Sequence, residues 1–373
     1  MLSKLNWIVR EIVWLQEVSL RIVHVLDERR TISFRLELLM DPFTQGVLGA
    51  ALPQATAGRN VQARAAGALG FLAGMAADLD VFIRSTTDPL AFLAYHRHFT
   101  HSLIFIPVGG LVCALALHWL GRRYWDLNFR QSFLICTLGY ATHAILDAMT
   151  SYGTLLLWPF TDARIDFSVV SIVDPLFTLP LAAFVFIAAR KKSPAYAWAG
   201  LGWAAAYLLT GLWQQSVALA LAEKAATERG HEIVRLEAKP SFANILIWKT
   251  IYQTADRYYV DAGRAGIAPR FFPGTSVATL DVARDFPWLD ANSQQARDIE
   301  RFRHFSQGFV AQDPQHSNRI IDVRYSFMPN DISPLWSIEL SPDADATRYA
   351  TYQAHDRNVR TNLGKLWQMA IAP

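Results

Sequence analysis

The chain has 373 residues, of which 52% are hydrophobic and only 18% charged, a balance that excludes a disordered chain and is typical of membrane proteins. The formal net charge is only +3 and the basic residues are scattered, so we find no nucleic-acid footprint and expect no nucleic-acid partner. The two cysteines, Cys113 and Cys136, lie in apolar runs, which excludes a disulfide framework and a cysteine-rich zinc ribbon.

Residues 1–39 form the first distinct segment. Apolar positions alternate there with charges of both signs at the spacing of an amphipathic helix, and no uncharged signal-peptide core is present. Met40 and Asp41 then open a segment that resembles a natural start of translation. We therefore expect residues 1–39 to be an N-terminal extension from an over-extended gene model, and we assign them no function.

Residues 40–222 are predicted to form a mainly α-helical, polytopic membrane domain with about four to five membrane helices. A fifth candidate helix at 65–83 is rich in glycine and alanine, which favours close helix packing, and carries Asp78 and Asp80 near its end. Residues 44–56 are apolar but too short to span a bilayer alone. The four main runs, which approach the ~20 residues of a bilayer crossing, are 102–120, 131–146, 169–189 and 193–222.

Basic residues determine the expected orientation in the membrane. If the helices alternate in direction, the basic clusters of three loops fall on one side, which should be cytoplasmic. The clusters are Arg59 and Arg64, then Arg122, Arg123 and Arg130, then Arg190, Lys191 and Lys192. The loops 84–101 and 148–168, and everything after residue 222, then lie outside. We expect membrane lipids to be the partners of this multi-pass protein.

After residue 222 the composition becomes that of a soluble domain. We predict a small α+β domain at residues 223–373, on the periplasmic or external side of the membrane. It contains a polar helix near 293–305. Its strand-like runs are 245–252, 258–261, 320–327 and 335–340.

Ionisable residues in or beside the predicted membrane helices cluster on the outer face, where such residues are expensive and mark functional sites. His143 and Asp147 are four residues apart, so they share one helical face at a spacing that can chelate a metal ion. A His–Asp hydrogen bond between helices explains the same pair. Asp78 and Asp80 lie about 200° apart on a helix, so we expect one of them to bind the metal and the other to support it.

Three imidazoles fall within six positions, at His96, His98 and His101, directly before an uncharged run. Neither a buried core nor a solvated surface accounts for this cluster. A cationic loop that contacts lipid phosphates is the alternative, although Arg and Lys serve that purpose better. Asp174, followed by Pro175, is expected to mark a helix kink and to support the site from outside the ligand set.

Six ordered motifs between residues 40 and 160 resemble those of a bacterial and archaeal family of inner-membrane-associated, metal-dependent hydrolases. This family is distantly similar to zinc-dependent phospholipases C and single-strand nucleases, which are all-helical metalloenzymes. The soluble region resembles an extra domain of some members. The motifs are MDPFTQG at 40–46, DLD at 78–80, HRHFTHS at 96–102, GYATHAILD at 139–147, SYGT at 151–154 and WPF at 158–160.

The resemblance implies a site that holds a divalent metal. Zinc fits a set of imidazoles and carboxylates without thiolates best, and manganese or iron also fit. The sequence departs from the family pattern at two positions. Gln45 stands where family members commonly have a histidine, and Ala77 stands where they usually have a proline. His98 and Asp80 are weaker carry-overs. The implied metal ligands are Asp78, His96, His101, His143 and Asp147.

Together these features predict a membrane-bound hydrolase that acts on a phosphoester, such as a lipid head group, at the outer face. In this hypothesis Arg97 steadies developing negative charge and Asp80 accepts a proton from water. A non-catalytic scaffold is the main alternative, with a structural metal or a His–Asp network and an outer domain that binds a partner. Gln45 favours that alternative. An ion-coupled transporter is a third interpretation, based on Asp174 and His143.

Overall fold

A computed structural model describes residues 32–56, 61–355 and 359–371 of the chain. Most of the predicted N-terminal extension, residues 1–31, therefore lies outside the described residues. Met40–Pro373 form one compact unit. The α-helices up to residue 228 are α1 Ile32–Thr56, α2 Ala63–Gly74, α3 Ala91–Tyr95, α4 Ile106–Trp125, α5 Phe129–Met149, α6 Pro175–Lys191 and α7 Pro194–Glu228.

Three segments of the described chain are long and apolar enough to cross a membrane: Ala63–Phe82, Leu103–Trp125 and Phe129–Met149. The first joins α2 to a 3₁₀ helix at Ala76–Phe82, and the second joins a 3₁₀ turn at Leu103–Phe105 to α4. These segments correspond to three of the predicted membrane helices. The coarse expectation of a helical membrane region is therefore confirmed.

The two remaining predicted membrane helices differ from expectation. α6 has 17 residues, fewer than the ~20 of a bilayer crossing, because it begins at Pro175 and not near residue 169. Proline fits the first turn of a helix, and Asp174 Oδ1 accepts hydrogen bonds from the N–H groups of Leu176 and Phe177. Asp174 therefore caps α6, whereas the sequence placed it at a kink. α7 is continuous across residue 222 and carries Gln214 and Gln215 within its apolar stretch.

Glycines allow α1, α2 and α5 to approach one another closely. A Cβ atom built on Gly139 of α5 would lie 2.5 Å from the Gly70 carbonyl oxygen of α2, and one on Gly49 of α1 would lie 2.6 Å from the same oxygen. Backbone contact of this kind is possible only without side chains. It brings the end of α2 against the C-terminal half of α5, where two of the predicted metal ligands lie.

The C-terminal region is β-rich and contains two four-stranded antiparallel sheets, which confirms that strands form there, as the predicted α+β domain requires. Their strand orders follow the chain, β1-β2-β3-β4 and β5-β6-β7-β8. Side chains of both sheets, including Ile251, Val260 and Ile321, share one buried cluster. The elements are β1 Arg235–Pro240, β2 Ile247–Gln253, β3 Arg257–Arg264, β4 Arg270–Ala278, α8 Val282–Asp285, α9 Gln294–Phe305, β5 Val310–Asp313, β6 His316–Asp322, β7 Trp336–Glu339, β8 Thr351–Ala354 and α10 Val359–Ile371.

This C-terminal region packs on the two loops that flank the predicted site. Arg301 of α9 forms a salt bridge of 2.7 Å with Asp88 in the loop before α3. The Tyr325 hydroxyl donates a hydrogen bond to the Ser151 carbonyl oxygen just after α5. These contacts fix the loops from the side opposite to the helices.

We expect Gly139→Ala to destabilise the protein, because the added Cβ meets the Gly70 backbone. Overpacking of this kind costs about 1–3 kcal/mol. The matched control is Gly202→Ala on α7, where a Cβ meets no atom within 4 Å and alanine favours the helix. Thermal unfolding in detergent should show a lower midpoint for Gly139→Ala and an unchanged or higher one for Gly202→Ala. Equal midpoints for the two variants would contradict the packing described here.

Candidate metal centre

Four of the five predicted ligands meet at one point between the helices: Asp78, His101, His143 and Asp147. Their candidate ligand atoms all lie within 4.8 Å of one another. The Nε2 atoms of His101 and His143 are 2.9 Å apart. Asp78 Oδ1 lies 3.5 and 3.3 Å from these two nitrogens, and Asp147 Oδ2 lies 3.1 and 3.5 Å from them.

α5 supplies His143 and Asp147 one turn apart on its buried face. Nδ1 of His143 lies 2.6 Å from the Gly74 carbonyl oxygen at the end of α2. A carbonyl can only accept a hydrogen bond, so Nδ1 carries the proton and donates it. The unprotonated Nε2 of a neutral imidazole then faces the meeting point, which is the orientation of a metal-binding histidine.

His101 closes a short 3₁₀ turn, Phe99–His101, and presents its ring in a similar way. Its Nδ1 lies 3.2 Å from Asp80 Oδ2, a carboxylate–histidine pair of the kind that orients metal ligands. Its Nε2 then faces the Nε2 of His143. In addition, Asp147 Oδ2 is buried and faces the two imidazole Nε2 atoms at 3.1 and 3.5 Å.

The residues present fit a divalent metal. Two nitrogen lone pairs and two carboxylate oxygens face one another, and a cation between them satisfies all four groups. Metal–ligand bonds of ~2.0–2.1 Å place tetrahedral ligand atoms ~3.3 Å apart. The five separations that involve an imidazole Nε2, from 2.9 to 3.5 Å, are close to that value.

The carboxylates of the centre also favour protonation of the His101 imidazole. Burial by itself lowers the pKa of His101, but hydrogen bonds with Asp147, Asp78 and Asp80 outweigh burial and raise this pKa to about 10. A proton and a metal cation respond to the same surplus of negative charge. The electrostatic character of the centre is therefore that of a site for cations.

Asp80 lies beside the four residues and holds the loop that carries His101. Its Oδ1 is 2.8 Å from His96 Nδ1. Its Oδ2 accepts hydrogen bonds from the Arg97 N–H at 3.0 Å and the Thr100 hydroxyl at 2.8 Å. His96 is thus directed at Asp80 and stays outside the four-residue group. These contacts favour a positioning role for Asp80 over the proton-acceptor role expected from the sequence.

Asp147 is held by two further side chains. Gln45 Nε2 donates a hydrogen bond of 2.7 Å to Asp147 Oδ1, and Arg97 Nη2 lies 3.3 Å from the same oxygen. Arg97 is buried and has a positive φ of 58°, which is uncommon outside glycine. Gln45 therefore reaches the centre by a hydrogen bond to a candidate ligand, at the position where a histidine would offer a nitrogen.

The centre opens toward the surface at Asp78. The side chain of Asp78 is 17% exposed, whereas those of His101, His143 and Asp147 are fully buried. Leu79 and Phe82, on the same 3₁₀ helix as Asp78, are exposed. The accessible edge of the centre at Asp78 therefore lies beside an apolar surface.

The two weaker sequence candidates lie elsewhere. His98 packs against Trp158 with ring centroids 5.5 Å apart, and burial lowers the pKa of His98. Asp174 caps α6 and its Oδ2 accepts a hydrogen bond of 2.8 Å from the Tyr207 hydroxyl. Neither side chain takes part in the four-residue group.

Three residues that support the centre escaped the sequence reasoning. Gly74 contributes a backbone carbonyl, which leaves no trace in the pattern of side chains. The Tyr140 hydroxyl donates a hydrogen bond of 2.7 Å to the Thr100 carbonyl oxygen, and the Thr150 hydroxyl accepts one of 2.9 Å from Arg97. Tyr140 and Thr150 each lie three residues from a ligand on α5, and that helical spacing was the available signal.

Comparison with known proteins places the centre in a segment similar to inner membrane proteins. Residues 40–218 match the model of a family described as YdjM inner membrane protein. A stretch of 97 residues is 32% identical to inner membrane protein YbcI of Escherichia coli (strain K12); it covers 26% of this chain and 54% of that protein. The chain thus spans about half the length of this curated relative. No solved structure matches the chain.

These matches and the three apolar helices together indicate a membrane protein, as the sequence predicted in coarse form. All four converging residues lie within the matched segment 40–218. Neither description names a hydrolase or a phospholipase. The chemistry of the centre therefore has to be argued from its geometry.

We expect His101→Ala and His143→Ala each to lower metal affinity by more than about tenfold, because each removes a direct ligand. The measurement is elemental analysis of detergent-purified protein after exposure to zinc and removal of unbound metal. His118→Ala is the matched control, since His118 bonds to Ser132 on the neighbouring helix, away from the centre. Metal content equal to wild type in both ligand variants would refute the assignment.

Proposed function

We propose that the protein is a membrane-bound, metal-dependent hydrolase that cleaves a phosphoester, such as a lipid head group, at the outer membrane surface. The observation that carries the proposal is the convergence of two imidazoles and two carboxylates on one point with a single partly exposed edge at Asp78. Catalytic metal sites combine protein ligands with a position open to water or substrate. The exposed Leu79 and Phe82 suit an amphipathic substrate at that edge.

The residue types favour zinc among the divalent metals, and they also suit manganese or iron. Imidazole and carboxylate ligands without thiolate are found with all three. A divalent metal bound here supplies a coordinated water of lowered pKa and a Lewis acid for a phosphoryl oxygen. The rest of the chemistry belongs to the side chains of the chain.

The surrounding residues fix the centre before substrate arrives. Asp80 and the Gly74 carbonyl orient the two imidazoles, while Arg97 and Gln45 hold Asp147. The guanidinium of Arg97 adds positive charge beside the carboxylates and offsets part of their repulsion. Such preorganisation lowers the cost of reorganisation during reaction. Asp78, at the open edge, is the carboxylate best placed to receive a proton from water.

The proposed location at the outer face follows from the distribution of basic residues. Arg122 and Arg123 lie in the last turn of α4, and Arg190 and Lys191 in the last turn of α6. The positive-inside rule places these ends in the cytoplasm. His101 lies just before α4 begins and Asp147 near the end of α5, at the helix ends away from these basic residues, which supports the outer location.

A non-catalytic centre is the second candidate, and two observations favour it. Three of the four ligand side chains are fully buried, as in structural metal sites. Gln45 occupies a position from which a histidine could contribute a further ligand. In that case the metal would lock α5 against the 3₁₀ segments, and the C-terminal region would recruit a partner.

The two candidates differ in turnover. We expect zinc- or manganese-loaded wild-type protein in lipid nanodiscs to hydrolyse a generic phosphodiester such as bis-p-nitrophenyl phosphate, and a chelator to abolish the activity reversibly. His143→Ala should fall to the buffer rate while His118→Ala keeps the wild-type rate.

A phospholipid offered in the same nanodiscs tests the lipid head group as substrate. A protein that binds metal stoichiometrically yet releases no product from either substrate would favour the structural centre.

A further inference from the structure

α7 shows where the membrane surface lies relative to the C-terminal region. Its exposed side chains include the large apolar Leu209, Leu212 and Trp213, whereas the exposed ones beyond residue 215 are small or polar: Ser216, Ala220, Glu223, Lys224, Thr227 and Glu228. Tryptophan is enriched at the boundary between lipid and water. This change marks the turn of α7 around Trp213 to Ser216 as the level at which we expect the membrane surface.

The first sheet is attached to α7 with one end at this level. Gln215 Nε2 donates a hydrogen bond of 3.2 Å to the Ala238 carbonyl oxygen near the end of β1, and Gly263 near the end of β3 faces Ala218 and Leu221. Farther along α7, Arg229 binds Asp261. β1 and β3 thus run toward the membrane.

The two connections at the membrane-proximal end of the sheet are 241–246 and 265–269. Both expose apolar side chains, and Ile267 at the β3–β4 turn is 99% exposed. Leu246 is exposed in the neighbouring connection, where its carbonyl oxygen accepts a hydrogen bond of 2.8 Å from the Ala265 N–H. Exposure of an isoleucine side chain to water at the tip of a turn is unfavourable, and contact with an apolar environment would stabilise it.

α10 adds a stripe of apolar side chains to the same end. Its inner face places Leu366 and Met369 against Ile247 and Ala262, the membrane-proximal residues of β2 and β3. Its exposed apolar residues recur every four positions, which aligns them along one face of the helix. They are Leu363, Trp367 and Ile371. The Arg264 guanidinium donates a hydrogen bond to the Ala370 carbonyl oxygen and so ties α10 to the β3–β4 turn.

The charges around these residues have a single sign. The segments 241–247, 264–272 and 359–371 contain no Asp or Glu, and the cations whose side chains the structure describes there are Arg264, Arg270 and Lys365. Apolar side chains with a cationic surround match the surface of a bilayer that contains anionic phospholipid. A water-soluble protein partner gives no reason for the position of this surface beside the boundary on α7.

We propose that Leu246, Ile267, Leu363, Trp367 and Ile371 form an apolar edge by which the C-terminal region rests in the headgroup layer of the membrane that its own helices occupy. The occupant of this surface is anionic phospholipid. The edge lies at the same end of the region as the exposed apolar side chains of α7, and its cations are placed to meet the lipid phosphates. The C-terminal region is thereby held at the membrane surface, independently of whether the metal centre hydrolyses anything.

The test uses full-length protein in nanodiscs of phosphatidylcholine with phosphatidylglycerol, spin-labelled at Ile267→Cys or Ile371→Cys. Val234→Cys is the matched control, since Val234 is an exposed apolar residue at the opposite end of the same sheet. Cys113 and Cys136 are buried, and labelling of protein without an added cysteine corrects for them. The measurement is the ratio of collision rates with oxygen and with a water-soluble nickel chelate.

We expect this ratio to be several-fold higher at positions 267 and 371 than at 234, because oxygen concentrates in lipid and the chelate in water. Arg270→Glu combined with Lys365→Glu should reduce the ratio at 267. A water-like ratio at both positions would overturn the proposal. A short dipolar distance between labels at 267 on two copies would also overturn it, in favour of a second copy as the occupant.

Discussion

Two imidazole nitrogens, 2.9 Å apart between buried carboxylates, are the constraint on which the rest of this structure depends. Such an arrangement is unfavourable without a cation, because the lone pairs and negative charges repel in an environment that water does not screen. The neighbouring residues work against that repulsion. Asp80 and the Gly74 carbonyl face the Nδ1–H groups of His101 and His143 as acceptors, and Arg97 lies against Asp147.

The close packing of the helices makes this arrangement of the two imidazoles possible. The Gly74 carbonyl can reach His143 only because Gly49, Gly70 and Gly139 let three helices touch through their backbones. On the other side, the C-terminal region extends the support. Arg97 lies over the ring of Tyr152, whose ring in turn lies 4.9 Å from that of Tyr325. Substitutions far from the four converging residues, in the helices or the sheets, can therefore disturb the geometry of the centre.

The sequence was most informative where side chains carry the signal. All four converging residues were among the predicted ligands, because imidazoles and carboxylates are conspicuous beside apolar helices. His96 could not be separated from them, since its contact with Asp80 depends on the turn of the loop. The start of α6 was misplaced because an apolar run continues through residues that a capping Asp174 keeps out of the helix. β4 was missed, since its exposed residues and Gly274 hide the alternation of a strand.

X-ray absorption at the metal edge of the purified, detergent-solubilised protein tests the central claim most directly. The account predicts a first shell of nitrogen and oxygen atoms at ~2.0–2.1 Å and the outer-shell scattering of two imidazole rings. The double variant His101→Ala/His143→Ala should lose this imidazole scattering. Sulfur at ~2.3 Å, or a shell of water oxygens without imidazole scattering, would contradict it.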